Sequence, residues 1–208
     1  MDPLLIVSPH PDDAVLSCGQ LMAGRPDCVV VTVFAGKPER FRQLTTFDRD
    51  CGFRSAAHAV LARRREDTEA LDLLDARPVH LSFPDSQYGE DTAPLAEEIA
   101  ERLVAEVDES GASIVLGPVG IAHPDHLTAA VAFLWLLRCR PHLEAWLYED
   151  LPARVLWPEQ AVARLQRWQD AGWTPELDFL GTGLLEVKED AIAVYASQQR
   201  ALRMACGG

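Results

Sequence analysis

Five short apolar runs recur along the chain, at Leu4–Ser8, Cys28–Ala35, Val79–Phe83, Ser113–Leu116 and Glu144–Tyr148. Longer segments of helical composition separate them. The second run, CVVVTVFA, is β-branched nearly throughout, as a strand buried on both faces requires. Helices are expected over Ala14–Ala23, Arg54–Ala76, Thr92–Glu109, Leu127–Leu137, Pro158–Ala171 and Lys188–Met204. In the third of these, Leu95, Ile99, Leu103 and Val107 form one apolar stripe. Lys37–Phe53 reads as an irregular loop, and Gly183–Val187 as a short extra strand. Strands alternating with helices predict an α/β fold, a doubly wound and mainly parallel sheet flanked by helices. Residues 1–208 read as a single domain, since no repeat, low-complexity segment or linker divides them. With the common strand order 3-2-1-4-5, the first and fourth strands are neighbours at the switch point, where open α/β sheets bind ligands.

Composition narrows the partners. A formal net charge of −13 opposes a nucleic-acid surface. Arg63-Arg64-Arg65 is the one cationic run, and with Glu66, Asp67 and Glu69 beside it the run reads as a solvated helix face. The five cysteines are widely spaced with no Cys-x-x-Cys, so free thiols in a reducing cytoplasm are expected. No basic leader and no apolar run of spanning length is present, so neither secretion nor a membrane is expected. The apolar Ala132–Leu137 run, with Trp135, suits either the core or a homo-oligomer interface.

Chemistry concentrates in two stretches. Ser8-Pro9-His10-Pro11-Asp12-Asp13 follows the first strand and His123-Pro124-Asp125-His126 follows the fourth. In a turn leading into a helix, positions three apart share a face, so His10 and Asp13 can point at one atom. A histidine from the second stretch can join them; spacing alone does not choose between His123 and His126. Two imidazoles and one carboxylate leave a coordination position open, as a catalytic zinc site requires, and water bound there has its pKa lowered to roughly 7. Asp12 beside such a site suits a general base. His123 suits an oxyanion stabiliser or an acid for the leaving amine, with Asp125 orienting its ring. Taken singly, Asp12 or Asp13 reads as a helix N-cap and His-Pro as a turn. His58, His80 and His142 lack a ligand-spaced partner and read as surface or core residues. Gly117-Pro118-Val119-Gly120 is not a phosphate-binding fingerprint.

These two stretches, with the small-residue helix after the first, resemble the LmbE-like (PIG-L) deacetylase family. Arg63-x-x-Glu66, Phe83-Pro84-Asp85, the Tyr148-Glu149-Asp150-Leu151-Pro152 segment, and Lys188 with Tyr195-Ala196-Ser197-Gln198 resemble further family patterns. The resemblance implies a Rossmann-like zinc hydrolase removing acetyl from an N-acetylglucosaminyl-type amino sugar. It implies His10, Asp13 and His126 as Zn2+ ligands, Asp12 as base, His123 as stabiliser of the tetrahedral intermediate and Asp125 as its partner. It makes Arg63 and Asp85 substrate contacts. Another divalent transition metal suits the same donors. The extended C-terminal part of longer relatives, which helps shape their pocket, is reduced here, and Gln20 stands where many relatives carry a small residue. An amidase of a thiol conjugate or other non-sugar amide is the alternative reaction, and a catalytically silent metal-binding module the alternative class.

Overall fold

The computed structural model describes residues 3–38, 44–89, 96–174 and 184–199. Five parallel strands, β1 (Leu4–Ser8), β2 (Cys28–Thr32), β3 (Ala76–His80), β4 (Ile114–Pro118) and β5 (Glu144–Tyr148), form one sheet in the order β3-β2-β1-β4-β5. The helices are α1 (Asp13–Ala23), α2 (Thr46–Asp50), α3 (Ala56–Leu73), α4 (Ala96–Ser110), α5 (Pro124–Cys139), α6 (Ala153–Leu156), α7 (Pro158–Asp170) and α8 (Leu185–Ala193). The period-2 alternation of a strand sorts the core into two layers. Leu4, Ile6, Cys28 and Val30 face Val15, Met22, Leu71 and Ala191 of α1, α3 and α8. Leu5, Val7, Val29 and Val31 face Ile99, Leu103, Ala129 and Phe133 of α4 and α5. Every residue of β1 and β2 is buried, which is why both read as continuous apolar runs.

Close approach of helix to sheet depends on one glycine. A Cβ on Gly117 of β4 would lie 2.5 Å from the Phe133 ring of α5, so this strand position admits no side chain without displacing a fully buried aromatic. The Ala132–Leu137 run is core: Ala132, Phe133 and Leu136 are wholly buried, and Trp135 and Leu137 pack against the same cluster.

Several boundaries differ from the sequence expectation. β3 starts at Ala76 rather than Val79 and includes Pro78, paired with Val30. As an edge strand it tolerates a proline that cannot donate. α3 stops at Leu73, with Asp75 in the left-handed region at φ 54. The expected loop contains α2, capped by Thr45 Oγ1, which accepts from Asp48 N at 3.0 Å. Of the strand expected at Gly183–Val187, Gly183 lies outside the described residues, and Leu185–Val187 instead open α8, which packs on α1 with the Lys188 side chain against Gly19. Residues 92–95 at the start of the expected third helix and 200–204 at the end of the last lie outside the described residues. Cys18, Cys28, Cys51 and Cys139 are free thiols. Among the described residues no helix is long and apolar enough to cross a membrane.

Candidate active site

The sheet order makes β1 and β4 neighbours, and their C-terminal ends carry the two His-Pro-Asp turns. After β1 the chain is tied by short bonds. Ser8 Oγ donates to His10 O (2.8 Å) and accepts from Ala14 N (3.1 Å), while His10 N donates to Asp13 Oδ2 (2.8 Å). Asp12 sits at the N-terminus of α1 with φ 111, a region non-glycine residues rarely occupy, and its side chain makes no cap bond. After β4, Ala122 also has positive φ (62), and His123 Nδ1 accepts from Asp125 N at 3.2 Å. Backbone strain of this kind persists only where surrounding contacts over-determine it, and both motif halves carry it.

The two turns bring three imidazoles together: the ring centroids of His10, His123 and His126 lie 5.0–5.5 Å apart. Asp13 Oδ2 stands between two of them, 3.3 Å from His10 Nδ1 and 3.2 Å from His126 Nε2. Each of these rings is held from its far side by a second carboxylate. His10 Nε2 lies 2.9 Å from Asp125 Oδ2, and His126 Nδ1 lies 2.7 Å from Asp150 Oδ1. Ligand atoms of His10, His123 and His126, and separately those of His10, Asp85 and Asp125, fall within 4.8 Å of one another, so both sets are also spaced for a cation. The Asp125 carboxylate stands closer to His10 than to His123, whose Nδ1 is 4.0 Å away; it is the Asp125 backbone N–H that holds the His123 ring. Because Nδ1 accepts there, a neutral His123 carries its proton on Nε2.

The electrostatics follow from this crowding. Burial would pull both partnered imidazoles down, but their carboxylates outweigh it: His10 is raised well above 6.5, and His126 is pushed up to about 9 by Asp13 and Asp150. Burial would likewise raise Asp13, but His126 and His10 hold it well below the usual carboxylate range. Asp12 goes the other way, raised by burial and by the neighbouring charge of Asp13. His123, 44% exposed, is lowered by burial and by His10. Two adjacent aspartates with opposite shifts can play opposite roles, one a permanent anion and one a proton carrier.

A cavity of about 630 Å³ opens over these residues, and Asp12, Arg63, Asp85, Trp157 and Gln198 all line it. Arg63 departs from the solvated-face expectation: it is 5% exposed and paired with Asp48 Oδ1 at 2.6 Å, not with Glu66. Its guanidinium also lies over the rings of Phe47 and Phe53, and its Nε has no hydrogen-bond partner among the described residues. Arg64 is taken up by the carbonyls of Ala35 and Leu81, so within the run Arg65 alone is exposed. Asp85 accepts from Gln87 N (2.9 Å) and Gln87 Nε2 (2.6 Å). His80 is also partnered, 2.8 Å from the buried Asp67.

Two buried acids escaped the sequence reading of the site. Asp150, fully buried, also accepts from Gly120 N at 2.9 Å, where glycine supplies φ 80. Its signal was an acid two residues beyond the end of the fifth strand, in the Tyr148–Pro152 segment that resembles a family pattern. Asp48 joins Arg63 to the Tyr88 hydroxyl (3.0 Å). Its signal was Thr45-x-x-Asp48, the pattern of a helix N-terminus inside an apparent loop.

A parallel sheet with an imidazole–carboxylate centre at its switch point, and the Asp12 carboxylate beside it, defines a hydrolase-type site. The chain belongs to the PIG-L family, described as GlcNAc-PI de-N-acetylase, which it matches over residues 5–136; the matched stretch contains both His-Pro-Asp turns. It is 32% identical to 2'-N-acetylparomamine deacetylase of Streptomyces fradiae, over 93% of this chain and 72% of that protein. Among solved structures, the zinc-inhibited form of teicoplanin deacetylase superposes with a TM-score of 0.79 at 27% identity, covering 97% of this chain and 86% of that one. The A40926 pseudoaglycone deacetylase gives a TM-score of 0.70 at 30% identity, over 94% and 81%. The chain is thus an amide-hydrolysing enzyme of a deacetylase family.

Proposed function

We propose that this protein is a metal-dependent N-deacetylase that hydrolyses the acetamide of an N-acetylglucosaminyl-type amino sugar, with His10, Asp13 and His126 as the metal ligands. The observation that carries this reading is the placement of Asp13 Oδ2 between His10 Nδ1 and His126 Nε2, each ring backed by a carboxylate on its other nitrogen. A carboxylate behind a ligating imidazole fixes its tautomer and raises its basicity. Two nitrogens and one oxygen fit zinc or a neighbouring transition metal, and three protein donors leave room for substrate. When bound, such a cation supplies Lewis acidity toward the amide carbonyl and toward water.

The chain's own groups complete the reaction. Asp12, buried at the cavity wall with its proton affinity raised, takes a proton from the attacking water. The water oxygen bonds to the carbonyl carbon, and His123 Nε2–H donates toward the oxygen on which negative charge develops. Collapse breaks the C–N bond and the proton held by Asp12 passes to the leaving nitrogen, giving a free amine and acetic acid, which releases its remaining proton to solvent as acetate. Arg63 and Asp85 on the cavity wall are the proposed contacts to the sugar hydroxyls. The names of the relatives, deacetylases of 2'-N-acetylparomamine, teicoplanin and the A40926 pseudoaglycone, support an N-acetylated amine as substrate here.

The test is acetate release from N-acetylglucosaminyl and N-acetylated aminoglycoside substrates, by protein reconstituted with zinc, cobalt, iron or manganese. The panel matters because the teicoplanin enzyme superposed here is a zinc-inhibited form. Turnover of non-sugar amides with none on any sugar would shift the assignment to a general amidase. Absence of a bound stoichiometric cation under every metal would end the metal reading.

A further inference from the structure

The strained Pro11–Asp12 segment is held by a residue from the other end of the chain. Gln198, 6% exposed and lining the cavity, donates Nε2 to Pro11 O at 3.0 Å. That carbonyl belongs to the peptide bond immediately preceding Asp12, whose φ is 111. The rest of the turn is tied through other atoms: Leu16 N to Asp12 O (2.8 Å), Ala14 N to Ser8 Oγ (3.1 Å) and Asp13 N to His10 O (3.4 Å). None of these fixes the plane of the Pro11–Asp12 peptide from outside the turn.

Gln198 is itself well anchored. Tyr195, 1% exposed, donates its hydroxyl to Asp67 Oδ1 at 2.7 Å, and Ser197 donates N and Oγ to the two oxygens of Glu66 at 2.9 and 2.5 Å. Both acceptors belong to α3, which also supplies Arg63 to the cavity. Tyr195–Gln198 is therefore a strap, fastened to α3 at two points and reaching the active-site turn with its last amide.

We propose that Gln198 is a positioning residue for the base: by holding the Pro11 carbonyl it sets the orientation of the Pro11–Asp12 peptide and so the place where the Asp12 carboxylate stands. This rests on the reading of Asp12 as the base. It assigns a role in the reaction to the Tyr195-Ala196-Ser197-Gln198 pattern. A displacement of about 1 Å in a reacting group can slow a reaction on the order of a hundredfold.

Gln198→Met keeps the length and bulk of the side chain and removes the donor; Gln198→Glu keeps the length and places an acceptor against the carbonyl. Both are expected to lower kcat about ten- to a hundredfold, with KM within about twofold and metal content unchanged. Tyr195→Phe, which cuts the strap's anchor but leaves the amide, is expected to lower kcat in the same direction by a smaller factor, with KM within about twofold. A rise in KM with kcat retained would make Gln198 a substrate contact and overturn the proposal. An activity-independent measurement runs alongside: amide hydrogen exchange at Asp13, Ala14 and Leu16 should quicken in both Gln198 variants and not along β1. Unchanged exchange overturns the clamp whatever the substrate proves to be, whereas a wild-type protein inactive on all acetylated amines overturns only the deacetylase reading.

Discussion

Asp12 and Asp13 are adjacent carboxylates whose surroundings push them apart. Asp13 is held ionised between His10 and His126, while burial and the charge of Asp13 favour a proton on Asp12. Asp12→Asn should therefore abolish proton transfer without disturbing the ligands: kcat is expected to fall about 10²–10⁴-fold with stoichiometric metal retained, as read by initial rates and elemental analysis. Asp150 stands behind the proposed ligand His126, its Oδ1 2.7 Å from Nδ1. Asp150→Asn must offer an N–H to either His126 Nδ1 or Gly120 N, one of which it cannot satisfy. Metal affinity in a chelator competition should drop about 10–100-fold. His126 is pushed up to about 9 by Asp13 and Asp150 despite its burial, which favours a proton on it at neutral pH in the metal-free protein. The cation must displace that proton, so affinity should rise as pH rises toward 9 and level off above it. A flat titration from pH 6 to 9 would mean His126 is not a ligand.

At the scale of elements, the periodic parts of the chain were readable and the parts decided by packing were not. β1, β5 and α7 lie where the sequence places them: β1 is buried throughout, β5 is buried at Tyr148, and α7 starts at Pro158 and turns Ala161 and Trp168 inward. β3 slid toward Ala76 because its neighbour β2 sets the register, and α2 was hidden by its brevity. Asp48 on α2 balances the buried Arg63, so Asp48→Asn leaves a charge without its partner and should cost about 3–5 kcal/mol in urea unfolding. Arg63→Met in the same background should recover part of that loss, which a purely local effect at Asp48 would not show. Gly117 tests helix–sheet contact. Gly117→Ala forces the Phe133 ring to move and is expected to destabilise by about 1–3 kcal/mol; an unchanged denaturation midpoint would show that α5 can withdraw freely.

For the whole molecule, the strand order converts two distant stretches into one centre. β1 and β4 are hydrogen-bonded neighbours, so His10 and His126 meet although more than a hundred residues separate them. A cation at that junction joins α1 to α5 and should stabilise the fold by about 2.7 kcal/mol at a hundredfold excess over its Kd. Removing it with a chelator is expected to lower Tm and abolish turnover together, and the same ion should restore both. The amino-acid sequence by itself determined the layered α/β architecture and the family, and pointed to the six histidines and aspartates of the two His-Pro-Asp turns as candidates, since these depend on local periodicity and on spacing within a few residues. Only the tertiary structure decided that Asp125 backs His10, that Asp150 backs His126, that Arg63 is buried against Asp48, and that Gln198 reaches Pro11. Those pairings join elements far apart in the chain, and no local pattern encodes which buried acid or amide will find which partner once the core has closed around them.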